Sequence, residues 1–127
     1  MQTVPFDEEL KFQLRLRRGK DILMGPGRAE LLRQIEATGS IAAAGRRMGM
    51  SYKRAWALVE SMNSTFRAPL VEAAKGGVGG GGAKLTATGT EILAAYCGFE
   101  RVVAASGAAY LEVLNAALTV PPEGKDG

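Results

Sequence analysis

Ser40 to Asn63, SIAAAGRRMGMSYKRAWALVESMN, confines this chain to few folds, because it reads as two short helices joined by a glycine turn. Ser40 is a good N-cap, since its hydroxyl accepts from a first-turn amide that has no helical partner. Ile41, Ala44 and Met48 fall three and four apart behind it and share one face. Gly45 leaves room there for a second helix to approach closely. Gly49 ends the first helix, since glycine takes the left-handed conformation at little cost. Ser51 caps a second helix from Tyr52 to about Ser64, with Ala55, Trp56, Val59 and Met62 as its inward stripe. Its opening turn shows Tyr52, Lys53 and Arg54, at the end where a recognition helix presents side chains to a major groove.

An ordinary helical hairpin accounts for the apolar spacing equally well. It does not account for Arg46, Arg47, Lys53 and Arg54 gathering on one helix end and the exposed turn. Residues 42–75 carry six basic side chains against two acidic ones, whereas residues 76–127 carry three against five. Positive charge thus collects on the helix pair and on the short segment after it. That suits a phosphate-facing surface, although a merely solvated basic face has the same composition.

With 127 residues the chain is expected to form one domain, or one domain with an appended helix. One cysteine, Cys97, and no histidine exclude a disulfide framework and a histidine-based metal site. Cys97 reads as a small core residue. No catalytic residue, metal or cofactor is expected. No run reaches the length of a membrane span, and MQTVPFDEEL lacks the form of a signal peptide. A cytoplasmic chain with no membrane partner is the expectation.

Leu10, Phe12, Leu14 and Leu16 alternate with Lys11, Gln13, Arg15 and Arg17, which predicts a strand over 10–17 with one wet face. Arg18-Gly19-Lys20 reads as a turn and Asp21 to Met24 as a short return strand. Arg15, Arg17 and Arg18 suit DNA contact, but they suit better the charged open face that keeps an edge strand from aggregating. After the break at Gly25-Pro26-Gly27, a support helix from Arg28 to Ala37 buries Leu31, Leu32 and Ile35, and Gly39 stops it. Three helices with short links result.

Pro69 to Ala73 and Leu85-Thr86 read as two strands around a glycine loop bracketed by Lys75 and Lys84. A strand pair of this kind after two such helices is a wing, and its glycines let backbone lie close to DNA. Gly77-Val78-Gly79-Gly80-Gly81-Gly82 also fits G-x-G-x-x-G. A dinucleotide-binding loop, however, must open a helix within a βαβ unit, and here a strand comes next.

Thr88 with Glu91 reads as a capping box. Ile92, Tyr96, Phe99, Val103, Ser106, Tyr110, Val113 and Ala117 then continue at alternating spacings of four and three, a heptad seam. Unbroken to Thr119, that helix spans about 48 Å, more than the preceding domain covers. A second copy of the same helix is its simplest cover. A kink at Gly107 that folds the end back is the alternative.

Together Gly39-Ser40-Ile41, Gly49-Met50-Ser51-Tyr52-Lys53, Ala55-Trp56, Met62-Asn63 and the wing Gly76 to Ala83, closed by Leu85-Thr86 and Gly89, carry a resemblance. The chain resembles the N-terminal DNA-binding domain of ModE-type molybdate-responsive transcription regulators over roughly residues 10 to 118. The helix-turn-helix is similar, more loosely, to LysR-type regulators. The resemblance implies a winged-helix dimer joined largely through the first strand region and the last helix. Full-length members continue into a part that binds molybdate. No residue here matches that site, so molybdate binding is not carried over, and a separate sensor protein is one candidate partner.

The expected fold is mainly α with a small β component, a winged helix-turn-helix with a long C-terminal dimerisation helix. Residues 1–87 would form the DNA-binding domain, with strand 10–17, helix-turn-helix 40–64 and wing 70–87. Residues 88–119 would form the helix and 120–127 a disordered tail. Candidate DNA contacts are Ser51, Tyr52, Lys53, Arg54, Arg46, Arg47, Lys75, Lys84, Gly77 and Gly79. The candidate dimer face is Ile92, Tyr96, Phe99, Val103, Tyr110 and Val113. The expected function is a homodimeric transcription regulator on double-stranded DNA with an inverted repeat. A protein-interaction module working through its last helix is the rival.

Overall fold

The computed structural model of the chain describes residues 10–74 and 81–119. Two antiparallel strands, β1 (Leu16–Arg18) and β2 (Asp21–Met24), lead into α1 (Pro26–Thr38), α2 (Ile41–Arg47) and α3 (Tyr52–Thr65). A second hairpin, β3 (Val71–Ala74) and β4 (Gly82–Leu85), pairs in register from Val71↔Leu85 to Ala74↔Gly82. Two helices come last, α4 (Ala87–Ser106) and α5 (Ala108–Ala116).

The three-helix corner forms where the local signals place it. Ser40 Oγ accepts from the Ala43 amide at 3.0 Å and Ser51 Oγ from the Arg54 amide at 3.1 Å, so both turns are capped by side chains. Gly39 and Gly49 carry φ of 73° and 71°, the left-handed region that lets the chain leave one helix and enter the next. A methyl on Gly45 would lie 3.1 Å from the Ala55 Cβ, so the glycine is what lets α2 and α3 pack closely. Met24, Leu31, Leu32, Ile35, Val59, Met62 and Leu70 are the largest fully buried side chains. Each contributes about 1.5–3 kcal/mol by leaving water.

The wing is fastened from both sides. The Ala83 amide donates to Gly39 O at 2.9 Å, pinning β4 to the α1–α2 corner. Asn63, near the end of α3, accepts from the Leu70 and Val71 amides and donates to Val71 O. Arg28, whose pKa burial pulls down, ties α1 to α3 by donating to Ser61 Oγ at 3.2 Å.

Four expectations change. The strand expected over 10–17 forms a ladder only from Leu16, because β2 offers four residues before Gly25 and Pro26 begin the helix. Residues 11–17 nevertheless keep the alternation of exposed and half-buried side chains. Trp56, assigned to the inward stripe, is 38% exposed. Ala55, Val59 and Met62 complete that stripe alone, and Trp56 lies beyond its edge. The last helix is capped by Thr86, not Thr88. Thr86 Oγ1 accepts from the Gly89 amide at 2.9 Å and donates to Pro69 O at 2.6 Å, a link to the wing that local sequence does not reveal.

The fourth change is the break at Gly107, where α4 and α5 diverge by 60°. The Gly107 amide donates to Val103 O at 2.8 Å and closes α4. The heptad spacing continues through the break, but the seam does not. The region assigned to the tail, 120–127, and the wing loop, 75–80, lie outside the described residues.

Candidate nucleic-acid interface

The start of α3 and the adjoining end of α2 carry four exposed basic side chains, Arg46, Arg47, Lys53 and Arg54. The Ser51 cap fixes the first turn of α3, and Ser51, Tyr52, Lys53 and Arg54 all stand exposed on it. Arg46 and Arg47 close α2 beside them, both exposed. Arg47 Nη1 donates to Gln34 Oε1 at 3.1 Å, which steadies its guanidinium against α1. Among the described residues, Arg46, Lys53 and Arg54 pair with no carboxylate. Unpaired cations on a convex helix start suit phosphates and the acceptor atoms of base edges.

The wing stands alongside. Lys84 lies on β4 opposite Glu72, its ammonium 3.7 Å from the carboxylate with both side chains largely exposed. A pair this exposed is worth little, and it leaves Lys84 able to exchange partners. The other wing candidates, Lys75, Gly77 and Gly79, lie outside the described residues. Between α3 and the wing strands runs a groove of about 500 Å³, lined among others by Ile41, Tyr52, Trp56, Val59 and Ala73.

Sequence reasoning missed Trp56 on this surface. Its position four residues after Tyr52, on the same side of α3, was the available signal. The two rings meet edge to face, centroids 6.3 Å apart and planes at 81°. Among the described residues no group of three or more Cys, Asp or Glu side chains is placed to hold a metal ion.

The candidate dimer face divides at the bend. Ile92 and Val103 are half-buried and Phe99 is 47% exposed on α4, whereas Tyr110 and Val113 are 75% and 70% exposed on α5. Tyr96 is buried in the chain's own core, its hydroxyl donating to Leu14 O at 2.7 Å. Cys97, beside it, is half-buried and accepts from Arg33 Nη2 at 3.0 Å. Burial pulls the Arg33 pKa down, but Cys97 and Glu30 outweigh it and the net shift is upward.

Comparison with known proteins fits this geometry. No family model matches the chain. It is 48% identical over 92 residues to the molybdenum-pterin-binding protein MopB of Rhodobacter capsulatus, an alignment covering 72% of this chain and 34% of that protein. It is 44% identical over 87 residues to the transcriptional regulator ModE of Yersinia pestis, 68% of this chain and 31% of that one. Against the DNA-binding transcriptional dual regulator ModE of Escherichia coli K12 it is 40% identical over 83 residues, 65% and 32% of the two. The solved complex of the CbnR DNA-binding domain with DNA superposes with a TM-score of 0.55 at 18% identity, covering 69% of this chain and 95% of that one. The domain is a ModE-like winged helix.

The ModE-like chain spans about a third of the length of the relatives it matches. Among its described residues no single helix is long and apolar enough to cross a membrane.

Proposed function

We propose that the ModE-like domain is the DNA-binding part of a transcription regulator that sits as a homodimer on an inverted repeat. One observation carries the reading. A winged helix presents Lys53, Arg54 and Arg46 around the start of α3, with no carboxylate partner among the described residues. Arg54 and Lys53 donate to guanine O6 and N7 or to phosphates, Ser51 and Tyr52 touch phosphate or base edges, and Arg47 and the wing fix register. The names of the relatives and the fold neighbour support DNA as the partner. The exposed side chains Phe99, Tyr110 and Val113 support a second copy as cover for α4 and α5, with Ile92 and Val103 at its edge and Tyr96 backing it from within.

The same exposed side chains favour a second reading, a module that recruits a different protein through α4 and α5. One experiment separates the two. Purified protein is mixed with sheared genomic DNA, and the fragments retained at about 150 mM salt, where loose electrostatic binding is suppressed, are sequenced. The regulator reading expects a recurring inverted repeat with half-sites about one helical turn apart and a dimeric mass in solution. A monomeric mass with no recurring motif overturns it in favour of the recruitment module.

A further inference from the structure

The helical corner leaves its one tryptophan at the surface. Trp56 is the single tryptophan of the chain, and indole has more apolar area to hide than any other side chain. Neighbouring positions on α3 are closed to solvent, with Ala55 at 0% and Val59 at 1%, yet Trp56 stays 38% exposed and Tyr52 57%. Their edge-to-face contact holds the two rings as one unit along the wing side of α3. Among the described residues the indole N–H meets no acceptor, so the ring offers an apolar edge and an unused donor together.

Any partner that covers these rings must also satisfy their surroundings. Lys53 and Arg54 stand on the same two turns and Arg46 on the adjoining helix end. Glu72, the acidic residue lining the groove, is paired with Lys84. A polyanion with an apolar group at a fixed height above its base edges fits. In the major groove that group is the thymine C5-methyl.

We infer that Trp56 and Tyr52 form the apolar half of the sequence-reading surface, packing against thymine C5-methyl groups while Lys53 and Arg54 take the polar edges. The inference rests on the DNA-binding reading above. It assigns to Trp56 a part in specificity, and it places an A·T pair where the wing side of α3 meets the groove floor.

The test uses a duplex enriched by the full chain from a random pool at about 150 mM salt. Trp56 is the sole indole emitter, so its fluorescence and the anisotropy of the labelled duplex are measured in one titration. The expected result is a change in indole emission with the same midpoint as the anisotropy. Replacing each thymine by uracil in turn, which deletes only the methyl, should weaken wild-type binding about fourfold at one or two positions. That penalty should vanish in Trp56→Ala or Tyr52→Ala. Trp56→Phe keeps an apolar edge and should retain the uracil penalty. Circular dichroism of each variant shows that α3 still forms. Unchanged emission on saturation, or an undiminished uracil penalty in both alanine variants, overturns the contact while leaving DNA binding in place. A pool from which no duplex is enriched overturns the DNA reading and this contact with it.

Discussion

Asn63 and Val71 exchange hydrogen bonds in both directions: Asn63 Nδ2 donates to Val71 O at 3.0 Å, and Asn63 Oδ1 accepts from the Val71 amide at 3.1 Å. The same oxygen accepts from the Leu70 amide at 2.8 Å. A single side chain on α3 therefore sets where the wing begins relative to the helix that would enter a groove. Asn63→Ala leaves three half-buried backbone groups without partners and should cost about 2–4 kcal/mol in urea unfolding. Asn63→Asp keeps the acceptor and should cost less. If both variants fall within about 0.5 kcal/mol of wild type, the side chain does not anchor the wing.

Two glycines of α4 should answer the same substitution with opposite signs. A methyl on Gly89 would run into the Leu70 carbonyl, so Gly89→Ala must push α4 off the wing and should cost about 1–3 kcal/mol or more. At Gly98 the nearest atom to such a methyl is Arg101 Nη2 at 3.8 Å. Gly98→Ala should stabilise dilute protein by about 1 kcal/mol through helix propensity alone. Thermal melts of the pair decide the matter.

Much of the helical corner was legible because its signals are local. Ser40 and Ser51 cap amides three residues on, and Gly39 and Gly49 act through their own backbone angles, so their effect can be read without the tertiary structure. The misread elements depended on distance. Thr86 caps the Gly89 amide three residues on, but its hydroxyl is also held by Pro69 O, seventeen positions away. Trp56 shares the apolar character of Val59 but not its side of α3, and periodicity gives a stripe without giving its width. The heptad pattern after Ile92 carries no mark of the break at Gly107, where an added Cβ would meet Val103 O at 2.9 Å. The alternation of residues 11–17 foretold which side chains face inward, but not how many find a strand partner.

The two serine caps should separate stability from recognition. Ser40→Ala and Ser51→Ala each delete one cap bond and should each cost about 1 kcal/mol. Only Ser51 lies on the face assigned to DNA. Affinity for an enriched duplex, measured well below both melting temperatures, should fall for Ser51→Ala and hold for Ser40→Ala. Equal affinities would assign Ser51 to capping alone.

Tyr96 predicts an alkaline limit to stability. Burial raises its pKa above the usual tyrosine value, and the neighbouring Glu100 adds to the rise. The folded state therefore holds the phenolic proton more tightly than the unfolded chain does. That contribution is complete below about pH 10, the unfolded value, and is lost as pH rises through the higher folded one. Tyr96→Phe should cost about 1 kcal/mol near neutrality, by deleting the bond to Leu14 O, and should flatten the decline above pH 10. An unaltered pH profile in the variant would place the alkaline loss elsewhere.

The bend at Gly107 has a thermodynamic consequence. It detaches α5 from the support that α4 enjoys, and none of the nine residues of α5 is buried. Helices shorter than about 12–15 residues are marginal in water on their own. Among the described residues α5 has little to pack against, so under the proposed homodimer its order should follow mass action, with a second copy supplying the cover. Amide exchange across Ala108–Ala116 should slow as protein concentration rises, while exchange in α1 to α3 stays constant, so one polypeptide carries two stabilities and only one of them is its own.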